Sequence, residues 1–390
     1  MYMTPEFWTR IVILIDSSSF SLSAITSQLA WSRDLILELA VTSRAGTLAT
    51  ANGEHERARV MSVMRVIGPH IRRCRAIAFN VRFSSSLPSF PNGFNGAAKY
   101  LRSLKLECAE DDGGADDGTM VPAAVHDKFP CPNISRLIID GRNYYNACQR
   151  NIHWTEMLPY VRDLSISHFT PVTTRSESFT TSNFLRSLDP LLCLNSLHIN
   201  NVQFHQSSHY EYLEVPDDLP LKTIVLENLQ NANSVDQLIG VLGQSSDDIQ
   251  IIRCRRGYQS AYEGNLSLKD IDSSEILIAH LRVFWGPTLV IDDCPGLNDD
   301  VLKAMATPDF HNTSFHCARD VRHFSILNCP NISVPALKQL VETRLHIALA
   351  GLPVGAALPI TMLRLSGCDL DISTDDRNWF SDRLSQFSYD

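Results

Sequence analysis

The chain has 390 residues, 44% of them apolar and 20% charged, a globular composition that excludes wholesale disorder. Its 34 Lys and Arg against 43 Asp and Glu leave a net charge of −9, which disfavours a general binder of nucleic acid or anionic lipid. No apolar run approaches the roughly 18 residues of a membrane helix; Ile11 to Ile15 comes nearest.

Arg10 precedes that short stretch, which runs into Asp16 and a serine cluster with no cleavage-like end, so no signal peptide is read here. A cytoplasmic or nuclear protein is expected, without a membrane partner. The ten cysteines form no CxxC pair, which argues against a zinc ribbon or a thioredoxin-type motif and for reduced, buried thiols.

From the amino end, Leu35, Leu37 and Leu39 alternate as a strand. Val60, Val63, Met64 and Ile67 follow helical spacing, with Gly68-Pro69 as the stop, and Arg75 to Phe79 alternates again. Phe83 to Ala98, rich in serine, proline and glycine, reads as an irregular loop. A run of the type L-x-L then recurs at Leu104, Leu137, Leu164, Leu197, Ile224, Ile252, Leu289, Phe324 and Leu363. Between the first two lies the acidic segment Glu110 to Gly118, expected to be mobile and exposed.

An apolar residue three positions earlier, such as Leu101, Ile134, Val161, Leu194 or Val321, extends several runs to L-x-x-L-x-L. Cys294, Cys329 and Cys368 each stand three residues after the last inward position of their run, where a small residue packs as the chain turns off the strand. Helical stretches fill the gaps: Phe184 to Leu188 after Ser182, Val235 to Leu242 capped by Ser234, Asn298 to Leu302, and Ser333 to Val341. Phe380, Leu384 and Phe387 suggest a last helix.

Strand, turn, helix, turn is therefore the unit, with eleven candidate strands. One such unit cannot bury its own apolar face, but stacked units bury it together. The expected fold is α/β: a leucine-rich repeat solenoid, wound right-handed, with parallel strands on the concave face.

Thr4-Pro5-Glu6-Phe7-Trp8 is followed by a strand-like Arg10 to Asp16, a helix-like Leu22 to Leu29 and Trp31-Ser32-Arg33-Asp34-Leu35. This order resembles the F-box-like leucine-rich repeat proteins that basidiomycete fungi encode in large numbers, and the late cysteines resemble those in the repeats of F-box receptors. The resemblance implies an array that selects a protein target for a ubiquitin ligase. In that family the Leu-Pro-x-Glu-Ile/Leu stretch that docks to the cullin adaptor lies upstream of the Thr-Pro-x-Leu-Trp sequence, and this chain begins after it, so an adaptor is implied as a partner only if an F-box exists upstream. Residues 1–20 then read as a remnant or linker, and 21–390 as the solenoid with insertions near 83–98 and 108–130.

Outward positions of the strands give the expected protein-binding surface: Lys105, Glu107, Asp140, His198, Asn200, Glu227, Arg253, Arg255, Asp292 and Arg364, with Ser165, Ser167, Ser325 and Ser366 among them. Both signs are mixed with small polar groups, which suits a polypeptide more than a phosphate backbone. Arg57, Arg59, Arg65, Arg72, Arg73 and Arg75 form the strongest basic cluster and read chiefly as the polar side of the Val60–Ile67 helix. Arg253, Arg255 and Arg256 near Tyr258 form a second cluster.

His205 and His209 are four apart without the glutamate of a zinc motif, and His316-Cys317 lacks an identifiable third group. Neither glycine-rich nucleotide motif occurs, and the acidic segment lacks EF-hand spacing. No cofactor, metal or catalytic residue is assigned. The expectation is a non-enzymatic recognition protein like the substrate-binding part of an F-box receptor. The alternatives are a repeat scaffold or adaptor unrelated to ubiquitin, an enzyme with its site in one of the two insertions, and an architectural fragment with no retained partner.

Overall fold

The computed structural model describes residues 5–43, 53–94, 96–113, 129–150, 154–171, 179–205, 219–244, 246–256, 260–306, 317–350 and 357–390. The chain divides into two compact units, Met1–Glu211 with Pro216–Pro220, and Tyr212–Val215 with Leu221–Asp390. Among the described residues no helix is long and apolar enough to cross a membrane.

The first unit runs β1 (Arg10–Leu14), α1 (Leu22–Trp31), β2 (Leu37–Thr42), α2 (Gly53–Ile67), β3 (Cys74–Phe83), β4 (Ser103–Glu110), β5 (Arg136–Asp140), α3 (Gly141–Arg150), β6 (Asp163–Phe169), α4 (Thr181–Leu188) and β7 (Ser196–Val202). Each strand pairs in parallel with the next, so strand order follows chain order. Alternation is the cause: Leu104 and Leu106, Leu137 and Ile139, Leu164 and Ile166, and Leu197 and Ile199 are in register and buried, and the residues between them face outward.

β1 lies in this sheet, with Ile11 opposite Leu39 and Ile13 opposite Val41, so the array begins before residue 21, where the sequence reading started it. After Phe83, which ends β3, the described residues up to 98 hold one short 3-10 turn, Ser84–Ser86, and are otherwise irregular. Phe90 and Phe94 within them are nonetheless buried, packed edge-on to Trp154 at 5.6 Å and tilted against Phe129 at 5.2 Å respectively. Within the acidic segment Glu110 and Asp112 are exposed as expected, but the Asp111 side chain is not. Asp111 is buried against Arg142 at 2.9 Å and accepts from Ser84 Oγ, because β4 runs on to Glu110 and delivers it to the interior; residues 114–118 lie outside the described residues.

The second unit runs β8 (Thr223–Glu227), α5 (Ala232–Leu242), β9 (Asp248–Ile252), β10 (Asn265–Lys269), α6 (Ser274–Arg282), β11 (Thr288–Asp292), α7 (Asp299–Ala306), β12 (His323–Leu327), α8 (Val334–Leu349), β13 (Met362–Ser366), α9 (Thr374–Arg383) and β14 (Gln386–Tyr389). It too is a parallel sheet in chain order with helices on the connections.

Three sequence expectations are corrected here. The inward pair of β9 is Ile249 and Ile251, not Ile252 and Cys254: two adjacent isoleucines permit either alternation, and pairing with Ile224, Leu226, Leu266 and Leu268 selects one. β10 sits inside what reads as one long gap, because no helix marks the β9–β10 connection among the described residues. Finally, the helical spacing of Phe380, Leu384 and Phe387 spans two elements: α9 stops at Arg383, and Phe387 lies on β14, opposite Leu363 and stacked on Phe380 at 4.8 Å.

The cap of α5 is likewise Asn231, whose side chain accepts from the Asn233 and Ser234 N–H groups; Ser234 is inside the helix and buried.

One turn recurs at the end of each strand from β6 to β13. His168, Asn201, Asn228, Arg253, Asp270, Asp293, Asn328 and Gly367 all have positive φ, and each stands two residues after its strand's second inward residue. Asn and Asp tolerate this conformation best among residues with a Cβ. At position 367 the residue is glycine, and a Cβ there would lie 2.3 Å from Asn328 Oδ1, so the Asn328 side chain would have to move to admit a larger residue.

The residue after the turn points back inside. It is Phe169, Val202, Leu229, Cys254, Ile271, Cys294, Cys329 or Cys368, and all are buried. The cysteines also tie layers together. Cys254 Sγ donates to Leu226 O and Ile252 O, both at 3.3 Å, and Cys294 Sγ to Leu268 O at 3.6 Å and Asp292 O at 3.3 Å. Burial pushes both thiols up to about 12 and Cys329 to about 11, which keeps them protonated as donors.

Candidate protein-binding surface

Parallel pairing brings the outward side chains into rows. In the first unit Ala78, Lys105, Ile138, Ser165 and His198 stand opposite one another, one per strand. The matching row of the second unit is Val225, Gln250, Ser267, Val290, Ser325, Arg364 and Ser388. Both rows are partly open to solvent, and Arg364 is exposed.

Beside the second row stand Glu227, Ile252, Lys269, Asp292, Leu327 and Ser366. Its charges are mutually satisfied. Arg253 bridges Glu227 at 2.8 Å and Asp270 at 3.3 Å, while Asp292 receives Lys269 Nζ and Asn328 Nδ2, each at 2.9 Å. Those two donors hold the Asp292 carboxyl below its ordinary range against the opposing effect of its partial burial. In the first unit Lys105 pairs with Glu107 at 2.6 Å, and His198 Nδ1 lies 3.5 Å from Ser165 Oγ. Asn200 lies on β7, one row beyond His198 and opposite Ser167.

The structure therefore brings Lys105, Glu107, His198 and Asn200 onto the open face of one unit, and Glu227, Asp292 and Arg364 onto that of the other. Arg253 and Arg255 are exposed but lie past the end of β9, in the turn rather than on the sheet.

Asp140 does not belong to the surface: it is 0% exposed. α3 begins at the next residue, and Gly141 packs so closely that a Cβ there would meet Phe169 Cβ at 2.4 Å. The Asp140 carboxylate is thereby drawn inward, where it accepts from the N–H groups of Arg142 and Asn143 and from Asn143 Nδ2. Burial pushes it up to about 7, the Asn143 donors opposing and nearby Asp111 adding to the rise. Ser167, opposite it in register, is buried as well.

The two arginine clusters separate in the same way. Arg256 is buried against Asp236, and Arg73 donates to Leu35 O at 3.0 Å and to Leu29 O and Ser32 Oγ at 2.9 Å, so both hold the fold together. Arg59 is over the Phe20 ring and bonded to Ile15 O. Arg65, Arg72 and Arg75 remain exposed. Tyr258, His209 and His316 lie outside the described residues.

Sequence reasoning missed one feature. A cavity of about 600 Å³ opens at the entry ends of β4 to β6, lined by Arg75, Lys99, Tyr100, Arg102, Tyr160 and Arg162 among others. The signal was present: Tyr100-Leu101-Arg102 and Tyr160-Val161-Arg162 repeat the same Tyr-apolar-Arg triplet before a strand.

Among the described residues no group of three or more His, Cys, Asp or Glu is placed to hold a metal ion. Comparison with known proteins adds no name: no family model matches the chain, and no curated protein matches it either.

Proposed function

We propose that the protein is a non-enzymatic, leucine-rich-repeat-type recognition module whose outward strand face binds a polypeptide. One observation carries the reading: side chains of adjacent parallel strands stand in register as open rows, presenting small and charged groups at the spacing of about 4.8 Å between strands. The L-x-x-L-x-L spacing, the buried inward pairs and the recurrent positive-φ turn support the repeat assignment. A rigid sheet positions such groups without a backbone ordering cost on binding.

Similarity to the substrate-binding part of an F-box ubiquitin-ligase receptor rests on the order of the opening residues and on the late cysteines Cys294, Cys329 and Cys368. A scaffold or adaptor without that link uses the same face, and co-purification of a cullin adaptor separates the two readings.

The surface is tested with a photo-crosslinking residue placed at Ser325 or Arg364, and at Glu342 on α8 as control, in cells expressing the full chain. Polypeptide adducts from the two strand positions and not from Glu342 are expected; equal labelling at all three overturns the reading.

A further inference from the structure

The entry ends of the first unit's strands build a second surface, made of residues that the strand-face reading does not use. The chain makes one turn there in successive layers. Arg102 N–H donates to Arg75 O, Ser135 N–H to Arg102 O, Arg162 N–H to Ser135 O and Asn195 N–H to Arg162 O, all at 2.8–2.9 Å. These bonds set the five residues in a row, one per layer, so that Arg102 and Arg162 stand two layers and about 10 Å apart. Ser135 between them has a short side chain that leaves the slot open. Tyr100 and Tyr160, each two residues ahead of its arginine, are 55% and 57% exposed.

A second cavity, of about 790 Å³, shares Lys99 and Tyr100 and adds Arg65 and Arg72. Arg75 is paired with Glu38. Among the described residues the side chains of Arg65, Arg72, Lys99, Arg102 and Arg162 form neither a hydrogen bond nor an ion pair. Of the carboxylates nearby, Asp34 lines the second cavity, Asp163 is exposed beside Arg162, and Glu38 is taken up by Arg10 and Arg75. Five unpaired cations thus collect at one edge of a chain whose net charge is −9.

We propose that this slot binds an acidic polypeptide segment in an extended, polyproline-II-like conformation. Carboxylates three residues apart on such a segment recur on one face about every 9 Å, close to the roughly 10 Å between Arg102 and Arg162. Each guanidinium grips a carboxylate bidentately, and the two tyrosine rings supply the aromatic walls that polyproline-II grooves use. A long nucleic acid is disfavoured because its charge extends past the slot into the field of a net-negative protein.

The test is fluorescence anisotropy of the full chain with a labelled peptide of repeating Glu-Pro-Pro, beside a Gln-Pro-Pro peptide and an oligouridylate. Salt-sensitive binding of the glutamate peptide alone is expected, weakened about tenfold in Arg102→Ala/Arg162→Ala, a change that leaves melting untouched because both side chains are exposed and unpaired. The charge-reversed pair Arg102→Glu/Arg162→Glu is expected to prefer a Lys-Pro-Pro peptide. Absence of glutamate-peptide binding, equal affinity in the alanine variant, or tighter binding of the oligouridylate overturns the proposal. Crosslinking from Ser325 and Arg364 is unaffected by any of these variants, so the two surfaces fail or stand separately.

Discussion

Arg256 Nε donates to Asp236 Oδ1 at 3.3 Å, and neither side chain reaches solvent. The pair joins the segment after β9 to α5, twenty residues earlier in the chain. Burial lowers the arginine to about 10, and the carboxylate beside it opposes that shift.

Removing one partner therefore costs more than removing both. Asp236→Ala is expected to destabilise the protein by about 3–5 kcal/mol, and Asp236→Leu/Arg256→Met by much less, since no buried charge is then left alone. Urea denaturation of the two variants at neutral pH measures the difference.

The imidazole of His280 is buried too, and burial together with the Arg256 charge lowers it to about 3. Its unfolded value is about 6.5, so the unfolded chain binds the extra proton between those limits. The stability this group contributes is complete above about pH 6.5 and is lost as pH falls toward 3. Relative to the parent, His280→Gln is expected to lose less stability between pH 6.5 and 4.5, read from denaturation midpoints across that range.

Asp140 acts with the opposite sign. Its folded value of about 7 lies above the unfolded value of about 3.9, so the native state holds the extra proton and stability falls as pH rises from about 4 to 7. Asp140→Asn removes that slope while keeping an oxygen for the first N–H groups of α3. The variant should gain on the parent as pH rises from 5 to 8, and a constant difference would show that Asp140 does not titrate in this window.

Leu197 and Ile326 are inward residues of β7 and β12 and are wholly buried. Leu197→Asp or Ile326→Asp should prevent folding, as each replaces roughly 1.5–3 kcal/mol of apolar burial with a charge that has no partner. Arg364→Ala, on the open row, should leave the melting temperature within about 2 °C. Circular dichroism melts of the three variants decide whether the assigned inward and outward faces are right.

Where apolar residues alternate with polar ones, as at Leu104-Lys105-Leu106 or Leu363-Arg364-Leu365, the sequence specified both strand and facing, because period two has one solution there. It failed where two solutions existed. Ile251 and Ile252 are adjacent, so alternation alone cannot choose between them, and the register of the neighbouring strands does. Phe380, Leu384 and Phe387 fit a helix by spacing although the helix has already ended at Arg383.

The candidate surface was legible to the same degree. Lys105, His198, Glu227, Asp292 and Arg364 face outward as alternation requires. Asp140 and Arg256 do not, because a carboxylate that caps an adjoining helix and an arginine that meets a buried aspartate are sent inward by partners distant in space or by the next element's start. Nothing in local spacing records those partners.

By itself, then, the chain's residue order determined a repeated strand unit, its inward leucine-type residues and the small cysteine site at Cys294, Cys329 and Cys368, since these depend on periodicity within a few residues. Only the tertiary structure decided which strands exist at β10 and β14, that β1 joins the same sheet, where the chain divides into units, and which charged groups are buried. Those outcomes depend on hydrogen-bond register and on pairing between side chains tens of residues apart, and the free energy of such pairing is fixed by neighbours that no short window of sequence contains.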